Sequence, residues 1–316
     1  MKHVTPPQQR GVALLAAMLT VALVATFAAG ALWQQWKSIE VEGAERQRTQ
    51  ARWLLTGALD WARVILREDA LAGNPSASVD HLAEPWAIPL QEARLSSFLA
   101  ALPDGTGNTV GDEKLTQQVL LSGQINDLQS RLNVTNLLQN EKLDANTVLA
   151  FERLFDTLGV PPSQLKLLTQ GLLAAQKQSS NAPLMPQRVS QLSWLGLSPK
   201  TLQTLSPHIT VLPARTLVNL NTANVQVLHA SVPSLSLSEA QRLIQQRERQ
   251  HWANVDAFEK ALGRPVSLTG THSVSTEYFE ILGRLRMPHT TLQERSLVKR
   301  ENQNLKVLWR ESGSLQ

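Results

Sequence analysis

Residues Val12 to Trp33 form an unbroken apolar run, VALLAAMLTVALVATFAAGALW, without one charged side chain. Coiled as an α-helix at 1.5 Å per residue, such a run reaches about 33 Å, enough to cross a hydrocarbon core of about 30 Å. The residues before it, MKHVTPPQQRG, carry Lys2 and Arg10 and no acid. Basic flanks stay on the cytoplasmic side, so the N-terminus is expected in the cytoplasm and the remainder across the membrane. A secretory signal peptide is the competing reading, with Ala29-Gly30-Ala31 as a small-residue cleavage site. Signal cores typically run only about 7–15 residues, which the stretch here exceeds.

Composition narrows the rest. The 316 residues correspond to about two folded units at roughly 150 residues each. With 42% hydrophobic and 18% charged residues, a packed core is expected rather than general disorder. The absence of cysteine removes disulfide scaffolds, thiolate metal sites and cysteine nucleophiles. A net charge of +4 is too small to argue for nucleic acid by itself. The histidines at 3, 81, 208, 229, 251, 272 and 289 form no i,i+3 or i,i+4 pair, and no nucleophile elbow, phosphate loop or dinucleotide fingerprint occurs. An enzyme is not expected.

The apolar helix is expected to continue as a stem. Residues 34 to 68 contain no proline, and Ala51, Leu55, Ala58, Ala62 and Ile65 recur at helical spacing, while Glu45, Arg46, Arg48, Arg52, Asp60 and Arg63 take other faces. This predicts one helix from Val12 to about Arg67, stopped by Gly73-Asn74-Pro75-Ser76. Trp33 suits a membrane-interface belt, and Trp36, Trp53 and Trp61 are assigned to packing the stem on a head. A turn-rich stretch follows. Its Asp104, Asn108 and Asp112 invite a calcium-loop reading, although their spacing matches no EF-hand and such clusters are usually turns.

Val119, Leu121 and Ile125 alternate as in a strand, with Gly123 at a bulge or close contact. Helical texture takes over after Arg131: residues 145–158, 165–176, 186–195 and 199–205, then a compact unit from Val218 to Leu262. Within that unit Asn221 and Ser238 are read as N-caps, and Asn254 as the start of a third helix. Strand texture returns in Phe279, Ile281, Leu285 and Met287, and in Leu305, Val307 and Trp309 after the Glu301-Asn302-Gln303-Asn304 turn. The fold class is therefore α+β, a head interrupted by a helical insertion. The expected divisions are a leader at 1–11, a transmembrane helix at 12–33, stem and first part of the head at 34–132, the insertion at 133–270, and completing strands at 271–316.

The Gly11/Val12 junction, where a polar basic leader meets the apolar run, resembles the processing site of type IV pilin-like proteins. Further motifs are Glu84-Pro85-Trp86-Ala87, Ile125-Asn126-Asp127, Arg131-Leu132-Asn133-Val134, Val189-Ser190-Gln191-Leu192 and Val218-Asn219-Leu220-Asn221-Thr222-Ala223. Together they resemble the minor pseudopilin K family of type II secretion over nearly the whole chain. The resemblance implies a pseudopilin-like α/β head and a place at the tip of a periplasmic pseudopilus beside minor pseudopilins I and J. There such a subunit starts filament assembly and supports export of folded proteins. It also implies cleavage after Gly11 by a prepilin peptidase, methylation of the new terminus at Val12, and contact with the inner-membrane assembly platform. Ala16, fifth residue of the mature chain, stands where most pilin-like subunits carry Glu. A carboxylate inside the membrane needs a cation beside it, here a neighbour's terminal amine, so a subunit without it needs no neighbour ahead. Ala13, Ala16, Ala17 and Ala22 are small enough for close packing with partner stems.

Calcium is associated with that family. Many members carry Asp-Trp-x-Asp and an acidic turn where this chain reads Gln170-Gly171-Leu172-Leu173-Ala174-Ala175-Gln176. Hard cations need several oxygen ligands, so no metal or cofactor is assigned. The alternative function is a membrane-anchored DNA-binding protein, because Val218 to Phe258 resembles a helix-hairpin-helix and Arg242, Arg247 and Arg249 supply charge. Its turn, Val232 to Leu237, has no glycine for a phosphate cradle and bears exposed-looking leucines. Nucleic acid is not expected as a partner.

Overall fold

A computed structural model describes residues 10–72, 79–100, 119–177, 182–288 and 290–315. The expected helix stop at 73–76 and the Asp104/Asn108/Asp112 loop lie outside the described residues. The chain divides into two compact units, 1–56 and 57–316.

The first unit is the N-terminal part of α1, a helix that runs continuously over Arg10–Ala72. At 1.5 Å per residue α1 is about 95 Å long. It passes Arg67 because Glu68, Asp69, Ala70 and Leu71 contain no breaker. It is long and apolar enough to cross a membrane, with mean hydropathy 2.4 in its most apolar window. That window carries no buried residue, as a membrane anchor requires. Trp36 and Trp53 are exposed.

In the second unit the last turns of α1 lie on a five-stranded sheet. The strands are β1 (Leu90–Arg94), which runs directly into the short helix α2 (Leu95–Ala100), then β2 (Leu120–Asp127), β3 (Tyr278–Met287), β4 (Thr290–Glu301) and β5 (Asn304–Leu315). They lie in chain order and all pairs are antiparallel. Alternation puts Phe279 and Ile281 on the face that meets Leu59, Leu66, Ile125, Val298 and Trp86, with Ala62 and Ile65 alongside. Gly123 opposes Gly283 across β2 and β3, beside a register break in β1 between Leu90 and Ala93. A Cβ on Gly123 would stand 3.0 Å from the Leu282 carbonyl oxygen. Backbone cannot give way as a side chain can. Gly123→Ala should therefore cost about 1–2 kcal/mol in chemical denaturation, and a neutral result would show the sheet is looser than described.

Between β2 and β3 the chain builds a separate helical core: α3 (Ala145–Thr157), α4 (Pro162–Gln176), α5 (Pro199–Leu205), α6 (Val225–Ser231), α7 (Leu237–Arg249) and α8 (Val255–Leu262). Phe151, Phe155, Leu168, Leu192, Leu205, Val227, Leu243 and Phe258 fill it. Residues 189–195 form a 3-10 helix rather than an α-helix, ending at Gly196 in the left-handed region (φ 92°). Asp144, Ser198, Asn224, Ser236 and Asn254 cap the helices, each accepting a backbone N–H with its side chain. Two of the expected caps move. Asn224 replaces Asn221, whose amide is engaged elsewhere, and Ser236 replaces Ser238, because only Ser236 has Glu239 three residues on to close a capping box.

Candidate functional site

The sequence motifs converge where the insertion leaves and rejoins the sheet. Parallel pairing of Val218–Asn219 with His272–Ser273 closes the insertion near its exit. Asn219, fully buried, donates its amide to the Asp80 carbonyl (3.1 Å), the Asp127 carboxylate (3.0 Å) and Thr276 Oγ1 (3.1 Å). Its Oδ1 accepts the Asn221 N–H at 2.9 Å. Asn221 in turn pairs with both the N–H and the carbonyl of Trp252. Asp127 collects further bonds from the Thr222 and Thr276 hydroxyls (2.5 and 2.7 Å) and the Gln129 N–H (2.6 Å). Burial pushes Asp127 up to about 6 despite those donors. Asn133 holds the loop before this junction, accepting from Leu212 N and Thr135 N and donating to Ala214 O.

A charged cluster adjoins this junction through Asp80, whose carboxylate also accepts the Thr276 N–H. Carboxylate oxygens of Asp69 on α1, Asp80 and Glu84 lie within 4.8 Å of one another. Arg300 from β4 enters among them, donating to Asp80 and to Asp69 Oδ2 at 3.0 Å, with its guanidinium over the Phe279 ring at 4.9 Å. Glu84, from the Glu-Pro-Trp-Ala motif, accepts from Trp86 Nε1 (2.7 Å) and His81 N (2.9 Å). Burial, reinforced by Glu84 and Asp80, pushes Asp69 up to about 6 against the pull of Arg300. His81 stacks on His251 of the insertion, ring centroids 3.8 Å apart, and burial lowers both imidazoles. These groups are far apart in the chain, so spacing alone gave no signal for them. Chemically, the arrangement is a ring of carboxylates whose cation is Arg300, built to hold segments together.

Gly11 and Val12 lie in the first turn of α1. At about 100° per residue, Ala13, Ala16 and Ala17 share one face, whereas Ala22 points about 180° from Ala13. The four alanines therefore do not make a single packing stripe. In α4, the Gln170-to-Gln176 segment offers amides and methyls but no carboxylate, so these residues do not fit the calcium ion associated with the family. Of the three arginines in the DNA reading, one is turned away from solvent. Arg247 is buried and donates to the carbonyls of Leu220 and Ala223, both at 2.8 Å, and burial pulls it down to about 10. Arg242 and Arg249 stay exposed. In the hairpin turn Leu235 is buried rather than exposed, while the Ser236 N–H is spent on Glu239 and the Leu235 N–H on Val232. No phosphate cradle remains there.

Two family models, both described as type II secretion system (T2SS) protein K, match residues 130–214 and 218–274, the insertion that carries most of these motifs. A type II secretion system protein K of Pseudomonas aeruginosa is 28% identical over 88% of this chain and 85% of its own length. Its counterpart in Klebsiella pneumoniae is 26% identical over 97% of both chains. The family models and these relatives carry one description, type II secretion system protein K, and that is the family this chain is similar to. The fold agrees with that of a chain in the solved GspK-GspI-GspJ complex from enterotoxigenic Escherichia coli, with a TM-score of 0.62 at 21% identity. The match covers 85% of this chain and 98% of that one. The similarity supports a minor pseudopilin role in type II secretion and protein transport, and among the described residues one N-terminal helix is long and apolar enough to fit a membrane anchor.

Proposed function

We propose that this minor pseudopilin caps the pseudopilus, joining minor pseudopilins I and J and starting assembly of the filament that moves folded proteins across the outer membrane. The observation that carries the reading is Ala16: from Val12 to Trp33 no carboxylate is available to pair with the terminal amine of a subunit ahead. A partner complex is supported by the resemblance to the GspK chain, which is solved together with GspI and GspJ. In this reading the leader 1–11 faces the cytoplasm, the head is periplasmic, a prepilin peptidase cuts after Gly11, and Val12 is methylated. The assembly platform of the inner membrane then receives the stem.

The test is the intact mass of the protein isolated from membranes. The expected species begins at methylated Val12, and Gly11→Leu should leave the leader attached. A terminus near Ala31, or one retaining Met1 in the wild type, would overturn the pilin-like route.

A further inference from the structure

A wide cavity lies within the insertion. It encloses about 1150 Å³ between the start of α3, the α6–α7 turn and the strap from Arg264 to His272. That exceeds the roughly 300–1,000 Å³ of small-molecule pockets, and the cavity is an open groove, which suits a length of chain better than a metabolite. Its charge is lopsided. Arg153, Arg215 and Arg264 line it, against Asp144 as the one lining carboxylate. Arg264 is matched by Glu239 at 2.6 Å, and Arg215 stands 4.0 Å from Asp144. Arg153 donates only to carbonyls, those of Ala230, Val232 and Leu235, and among the described residues no carboxylate lies within 4.0 Å of it. Carbonyl dipoles orient a guanidinium without cancelling its charge. Serine and threonine hydroxyls line much of the remaining wall, and Leu149, 57% exposed, gives the rim an apolar foothold. His272 at the base is buried and hydrogen-bonded to Ser231 and Thr271, so it supplies no negative charge.

We propose that this groove binds an extended acidic segment of another protein. Carboxylates along the segment would answer the unmatched charge of Arg153 and the exposed edge of Arg215, while the hydroxyls accept or donate to its backbone. The site is independent of how the subunit sits in a filament. A DNA duplex is disfavoured because the turn N–H groups are already used.

The test uses the full chain in detergent micelles and a fluorescein-labelled peptide of alternating Glu and Ser, read by anisotropy. Saturable binding is expected that weakens with salt. It should fall on the order of fivefold or more in Leu149→Glu, whose new charge repels the ligand while its exposed position leaves thermal unfolding unchanged. The peptide should also slow hydrogen exchange in residues 144–153 and 264–272. Absence of saturable binding, equal affinity in a folded Leu149→Glu protein, or displacement by a Lys-Ser peptide or a DNA duplex would each overturn the assignment.

Discussion

Arg300→Leu should destabilise the head by about 3–5 kcal/mol in chemical denaturation, the largest single-residue effect expected in this protein. Asp80 is completely buried, and Arg300, itself buried, is the cation placed against it. Removing the guanidinium leaves a carboxylate with no charge partner in a site closed to water, and the cost is that stranded charge rather than the lost pair. Leucine also surrenders the bonds to Asp69 and the Thr276 carbonyl. A second change separates the two causes. Adding Asp80→Asn to Arg300→Leu removes the stranded charge and should recover part of the loss. A double variant worse than the single one would show that Asp80 acts through its other bond, to Thr276 N.

The second large effect is a pH dependence carried by His272. Burial pulls its imidazole from 6.5 down to about 4, so the folded chain refuses a proton that the unfolded chain accepts. Stability from this group is complete above pH 6.5 and is lost as pH falls toward 4, by about 3 kcal/mol. Asp69 and Asp127 act in the opposite sense. Each is raised to about 6, so each stabilises the fold at low pH and loses that contribution as pH rises through 6. The wild-type profile sums these trends, and the difference between wild type and His272→Gln isolates the imidazole. Between pH 7 and pH 4 that difference should shift by about 3 kcal/mol in favour of the variant. A difference that stays flat would mean His272 takes its proton without cost.

Much of the architecture was legible because local patterns carry it. The apolar run, the absence of breakers from 34 to 68, and the alternation in 279–287 and 305–309 each report an element by its period. The junction was legible only as letters. In sequence Asn219 and Asn221 belong to one motif, and position alone marks Asn221 as a helix cap. In the structure both spend their amides tying distant segments together, Asn219 to Asp80 and Asp127, Asn221 to Trp252. Arg247 shows the same limit. In sequence it is one of three arginines on a helix, yet its side chain turns inward to two carbonyls. The cluster of Asp69, Asp80, Glu84 and Arg300 had no sequence signature, since β4 is more than two hundred residues from α1. Periodicity reports which face is apolar; it says nothing about which distant polar groups share a site.

The cap reading is tested most directly by stoichiometry. The full chain should be co-produced with minor pseudopilins I and J, extracted in detergent, and weighed intact by native mass spectrometry. The expected assembly holds one copy of this protein with its partners, stays at one copy when this chain is in excess, and admits further copies only when Ala16→Glu restores the missing carboxylate. A homopolymer of the wild-type chain, or a partner complex containing several copies of it, would contradict a subunit that ends the filament.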